Sequence, residues 1–305
     1  MRATAAMDPW PALPLDGWRD TKDTLHRYSQ MIGKIRLALA PFANHWWHVT
    51  LHVTVDGLTT GMLPVGDGRA VELRLDLREH AMRIVDSRGA VEQFALLPRF
   101  ACARFHDELL AALERLGITV EADMTPYDLD GPPFHEDREH DTYDGDAVAR
   151  FAQVLRSSTA VLEEFAGRFN GKQSPVHLFW HSFDLAHARF SGRRAPTRAG
   201  AGVVEAEAYS HETIAFGFWP GDEQVPYPAY YSYTAPAPDG LVSQPLTARA
   251  ATWNEASGTA ILPYDAVRTA ADPRTTLLGF LEDAYRAGAR TAGWDLADLA
   301  TRAAP

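Results

Sequence analysis

The chain has a single cysteine, Cys102, in 305 residues. An internal disulfide and a thiolate zinc cluster are both excluded. Cys102 stands just before an amphipathic stretch. There it reads as a packed thiol or, if a helix N-terminus activates it, as a nucleophile. Positive charge is also scarce, with 29 Lys and Arg against 40 Asp and Glu for a net charge of −11. Nucleic-acid binding rests on a basic face that displaces counterions, so nucleic acid is excluded as a partner, and anionic membrane surfaces with it. No apolar run approaches the roughly 20 residues that span a bilayer. The opening Met1 to Trp10 lacks the apolar core of a signal peptide, which makes the cytoplasm the expected location. A hydrophobic content of 46% nonetheless supplies a sizeable core.

What is present looks written twice. Apolar residues recur at helical spacing at Leu25, Tyr28, Ile32, Ile35 and Leu39, and again at Val148, Phe151, Leu155, Leu162 and Phe165. A six-residue insertion near Gly171 then aligns His48 and His52 with His177 and His181. Farther on, Ala95 to Pro98 resembles Ala260 to Pro263. Each is followed by a helix, Phe105 to Leu116 and Thr276 to Ala287, with Gly117 and Gly288 as the closing glycines. Val71 to Leu75 with Met82 to Val85 reads as a hairpin, as do the segments Val203 to Trp219 and Ala229 to Thr234. The expected fold is α+β: an internally duplicated helix–antiparallel strands–helix unit, its pseudo-two-fold halves built around mainly antiparallel sheet. Residues 1–124 form the first copy, 125–145 an acidic Pro-containing connection, 146–298 the second copy and 299–305 a frayed tail. The acidic run His135 to Asp141 reads as a solvated linker, with a divalent metal as the alternative.

The two His-x-x-x-His segments suggest zinc, yet both read as strands. Residues four apart on a strand are separated by about 13 Å at roughly 3.3 Å per residue, so one strand cannot chelate one ion. A metal would need His52, His181 and His211 from different strands. The register His48 to Val55 places His48 and His52 on a wetted face, whereas the second strand buries His181 and Asp184. Burial requires those groups to find partners. Glu212, on a face with Ile214, Phe216 and Phe218, is the favoured proton-transfer group, and His211 sits beside it. Arg189, Arg193 and Arg194 follow the second strand, where Arg189 or Arg193 can grip a carboxylate or phosphate. Trp180, Trp219 and Tyr231 supply aromatic walls for a pocket.

At Trp180 to Leu185, Arg189 to Pro196, Ser210-His-Glu212 and Phe216 to Gly221, the sequence resembles an uncharacterised bacterial family, a domain of unknown function. Trp10 to Pro14 and the strand through Gly57 to Thr60 resemble it too. The likeness spans nearly the whole chain and implies no known activity. The expected function is a small-molecule enzyme in which Glu212, His181, Asp184 and His211 act as acid-base groups or ligands of a divalent metal. Arg189, Arg193, Trp180, Trp219 and Tyr231 would hold a small anionic substrate. The alternative is a non-catalytic small-molecule binder or protein scaffold whose polar strand residues are structural. Reaction, substrate and oligomeric state are not encoded in any motif.

Overall fold

Leu25, Tyr28, Ile32 and Ile35 lie on α1 (Arg19–Leu39), and all four are fully buried. Burial on this helix extends well beyond the apolar stripe. Most of Thr21 through Ile35 is enclosed, including Lys22, His26, Gln30 and Lys34. A helix covered on every side serves as a central post, and the rest of the first half packs on it. The computed structural model describes residues 8–197 and 200–301.

After α1 come β1 (His52–Val53), β2 (Gly57–Thr59), β3 (Leu63–Pro64), β4 (Ala70–Asp76), β5 (Ala81–Asp86) and β6 (Val91–Ala95), then α2 (Cys102–Arg115). The strands form an antiparallel sheet in the order β1-β2-β4-β5-β6, with β3 on β4. Period-two alternation places Val71, Leu73, Leu75, Met82 and Ile84 on the inner face. Gly117, with φ of 68°, closes α2 as its sequence position predicts. Cys102 is fully buried at the start of α2, and burial pushes its thiol far above the ordinary range. The packed-thiol reading holds.

The second half runs α3 (Gly145–Ala166), β7 (His177–Phe179), β8 (Asp184–Arg194), α4 (Val203–Ala208), β9 (His211–Trp219), β10 (Ala229–Ala235), β11 (Thr252–Asn254), β12 (Thr259–Pro263), α5 (Tyr264–Arg268) and α6 (Pro273–Thr291). Its sheet order is β11-β12-β10-β9-β8-β7, again antiparallel. Asp144 caps α3 by accepting from the Asp146 and Ala147 N–H groups, and Asp272 caps α6 through Thr275, ahead of Pro273. Both halves are helices with an antiparallel sheet, which makes the fold α+β. The strands β1, β2, β4, β5 and β6 stand in the same relative order as β7, β8, β9, β10 and β12. The sheets touch edge to edge where Leu51 and Leu178 exchange two backbone hydrogen bonds of 2.8 Å. No helix is long and apolar enough to cross a membrane among the described residues.

Several expectations need correction. His48 is not on a strand: Asn44 to Val49 form a 3-10 turn, and pairing begins only at Leu51. The segment from His177 to Leu185 is a hairpin, with Phe179 opposite Asp184 and a turn through Trp180 to Phe183. Phe183 takes a φ of 59°, which reverses the chain there. Val203 to Ala208 are helical. Gly288 lies inside α6, where a Cβ would meet the Thr234 hydroxyl and Ile214 at 2.9 Å. It is kept small for helix–sheet packing, and Gly293 (φ 65°) follows the helix end. Of the tail expected at 299–305, residues 302–305 lie outside the described residues, while Asn170 N–H donates to the Leu299 carbonyl at 2.9 Å and Thr301 bonds Gly167 and Arg168.

The acidic connection is also more than a solvated strap. Phe134 and Asp137 are both fully buried. Asp137 accepts from the backbone N–H groups of Glu139 (3.2 Å) and His140 (3.1 Å) and pairs with Arg27 of α1 at 3.2 Å. Breaking a buried pair by deleting one partner strands the other charge. Asp137→Ala should therefore lower unfolding free energy by about 3–5 kcal/mol in urea melts. A loss below about 1 kcal/mol, the level of an exposed pair, would show that the connection does not anchor α1.

Candidate functional site

Strands β8, β9 and β10 present two unlike faces. Leu185, His187 and Arg189 on β8 share one with Ile214, Phe216 and Phe218 on β9, all buried in the core against α3 and α6. The opposite face carries small residues. Ala186 pairs with Gly217, and Ala188 with Ala215. Above this floor lies a cavity of about 1320 Å³. Phe179, Phe190 and Trp219 line its sides, as do Tyr231 and Tyr233.

The opposite wall comes largely from the first half: α1, the 3-10 turn with Trp46 and Trp47, and residues 121–129. His45 and Trp46 adopt left-handed backbone angles, φ 55° and 61°. Such a pair costs energy in residues other than glycine and persists only where surroundings fix it. Here His45 is fixed by α4. Its N–H donates to Glu207 at 3.0 Å, and its Nδ1–H points at the Glu207 and Ala208 carbonyls at 3.2 Å. Its Nε2 accepts from the Lys172 ammonium at 2.7 Å. Burial, then Lys172, lowers the His45 pKa, which keeps the ring neutral to accept that bond.

At one end of the floor stands Asp184. Its two carboxylate oxygens accept hydrogen bonds from the Ser182 hydroxyl and the Tyr231 phenol. Tyr231 is on β10 and Asp184 on β8, so the phenol must cross β9. It does so over Gly217, its direct partner in the β9–β10 register. A Cβ at position 217 would lie 2.5 Å from the Tyr231 Cζ and Oη atoms. The glycine is thus what lets the tyrosine reach across. Burial, then the adjacent Asp184, raises the Tyr231 phenol well above its ordinary value, so it remains a proton donor. His181 also lines the cavity, its pKa lowered by burial while Asp184 and Asp128 pull the other way.

This sequence matches a family model over residues 10–301, almost its full length. The chain belongs to DUF5996, a family of unknown function. No curated protein and no solved structure matches it. For this family member the geometry above is therefore the available guide to function.

The structure gathers part of the expected site and disperses the rest. Asp184, His181, Trp180, Trp219 and Tyr231 all line the cavity. Glu212 does not. It sits at the start of β9, where its carboxylate accepts from Arg193 Nε and NH2 at 2.9 and 2.7 Å and from Ser191 at 2.9 Å. Arg193 also bonds the Ala292 and Gly293 carbonyls beyond the end of α6, so the pair is a structural clasp. Arg189 points to the core face, its guanidinium 3.4 Å from the Phe165 ring centre and 4.5 Å from that of Tyr285. Burial lowers its pKa to about 10, and it does not line the cavity. His211 bonds Ser210 at 3.1 Å and stacks edge-on to His45, outside the cavity lining. His52 lies at the seam between the sheets and contributes to lowering the His177 pKa. Among the described residues no three His, Cys, Asp or Glu side chains are grouped to hold a metal ion. The structure does not assemble His52, His181 and His211 into a shared site, and the acidic connection forms none either.

Sequence reading missed the polar stripe of α1. Lys22, His26, Gln30 and Lys34 follow one another at intervals of four, which is one helix face. His26 stacks on Phe183 at 4.9 Å, and its Nε2 lies 3.0 Å from the carbonyls of Trp180 and His181. Gln30 clamps the Tyr127 backbone, donating to its carbonyl and accepting from its N–H, both at 2.9 Å. The signal was available: four polar residues at i, i+4, i+8 and i+12 beside the apolar stripe of the same helix.

Proposed function

We propose that this protein is a small-molecule enzyme whose site is the cavity over β8–β10, with Asp184 as the proton-transfer group. One observation carries the reading. A largely buried carboxylate, held by two hydroxyl groups, stands at the end of a large cavity with a small-residue floor and aromatic sides. Buried carboxylates with polar neighbours in a concave apolar site are the usual equipment of acid-base chemistry. Asp184 takes a proton from, or returns it to, a bound molecule. The Tyr231 phenol steadies the carboxylate and stays protonated while it does so. His181, adjacent in the turn, orients a polar group of the same molecule.

The test is incubation with mixed small metabolites followed by NMR. The wild-type protein should consume a compound, and Asp184→Asn should slow that consumption by about 100-fold or more. Turnover unchanged in Asp184→Asn would remove the carboxylate from the chemistry. Tight binding without turnover in the wild type would leave a non-catalytic binding protein.

A further inference from the structure

The four polar residues of the α1 stripe are not equally engaged. The Lys22 ammonium pairs with Asp23 at 2.7 Å, His26 bonds two carbonyls, and Gln30 holds Tyr127. Lys34 has no hydrogen bond and no ion pair among the described residues, although it is only 7% exposed. Its ammonium lies over the Trp180 ring, 5.7 Å from the centre. That ring is fixed in turn, because it packs so closely on Gly33 that a Cβ there would collide with the indole. Asp123 is the one carboxylate that acts on Lys34 at a distance. It is exposed, and Thr125 already donates to it from both N–H and hydroxyl. The ammonium thus opens on the cavity with three donors and no protein acceptor for them among the described residues.

Lys34 lines the cavity. Lys22 and Lys34 are the only lysines or arginines among its described lining residues, and Lys22 is already paired. We infer that Lys34 is the anion-binding residue of this site and that the ligand is a singly charged organic anion, a carboxylate with a ring-bearing apolar body. The inference rests on the cavity being the functional site, as proposed above. The apolar body follows from the alanine and glycine floor and the aromatic sides. The single charge follows from the lining carboxylates Glu121, Asp123, Asp128, Asp184 and Asp222, which repel a phosphate or any multiply charged group. An anion at Lys34 would gain a charge-assisted hydrogen bond from the ammonium.

Two fluorescent probes of one shape separate the possibilities: anilinonaphthalene sulfonate, a monoanion, and phenylnaphthylamine, its uncharged parent. Both should bind the wild-type protein, and both should be displaced by Ala188→Trp, which fills the cavity floor. Lys34→Met should weaken sulfonate binding about tenfold or more and leave the uncharged probe unchanged. Lys34→Arg should restore most of the sulfonate affinity. If Lys34→Met binds both probes as the wild type does, the anion assignment is wrong while the cavity stands. If neither probe binds the wild type, or Ala188→Trp displaces neither, the cavity reading fails and this assignment falls with it. Thermal melts of Lys34→Met guard against misfolding. An unchanged or higher melting temperature shows that the weaker sulfonate binding comes from a folded protein and counts for the proposal.

Discussion

Acidification from pH 7 to pH 5 is expected to destabilise the protein by about 6 kcal/mol, as much as the whole stability of many domains. His26, His177 and His187 are buried, and burial holds each near a pKa of about 3, against the ordinary histidine value of 6.5. Lys22 adds to the shift at His26, His52 at His177 and Arg189 at His187. Below pH 6.5 the unfolded chain binds protons that the folded one refuses, so stability falls as pH falls. Each ring contributes about 1.4 kcal/mol per pH unit until its folded pKa is reached. By pH 5 that is about 2 kcal/mol for each of the three. Urea melts at the two pH values read the effect directly. His187→Gln, which keeps a donor for the Ser174 carbonyl, should remove about a third of the pH dependence. A stability flat between pH 7 and 5 would mean that these rings are not buried as described.

Gly217→Ala is expected to be severely destabilising for the addition of one methyl group. The new carbon would press on the Leu185 carbonyl across the β8–β9 pairing and on the Tyr231 ring across β9–β10. One obstacle is backbone and the other a buried ring bonded to Asp184, so neither can step aside cheaply. We expect a loss of about 4 kcal/mol or more, beyond the range of ordinary substitutions. Gly279→Ala, on α6 with nothing within 4 Å of the added carbon, is the control, and it should gain up to about 1 kcal/mol. If both variants melt alike, the close crossing of Tyr231 over β9 is wrong. If Gly217→Ala is destabilised while Tyr231→Phe is not, the lost energy lies in the sheet backbone and not in the phenol–carboxylate bond.

Helices were readable because they carry their own signals: the apolar repeats of α1 and α3, and Gly117 after α2. The hairpin β4–β5 and the strand β9 were likewise legible from alternation. The His-x-x-x-His segments misled because alternation continues through both of their reversals. His48 to Val55 and His177 to Leu185 each read as one strand, yet the 3-10 turn that begins with left-handed His45 and Trp46 runs on through Val49 into the first, and left-handed Phe183 reverses the second. None of these three is a glycine, so no local mark announced the reversal. Once the second segment folds into a hairpin, Asp184 moves to β8 and faces Tyr231. Glu212 failed for a different reason. The alternation of β9 correctly placed it on the core side, but it stands at the strand's first turn of pleat, where Arg193 reaches it. Arg189 resembles a ligand residue in the sequence because a sequence gives no sign of which sheet face α3 and α6 will cover.

The floor of the cavity belongs to residues after 176, while α1, the Trp46–Trp47 turn and residues 121–129 all precede α3. Between the two sheets themselves, the backbone contact is the short Leu51–Leu178 exchange. A molecule occupying the cavity would therefore touch both parts of the chain at once and act as a rivet between them. Its binding free energy would add to the cohesion of the fold, so that occupancy and resistance to unfolding rise together.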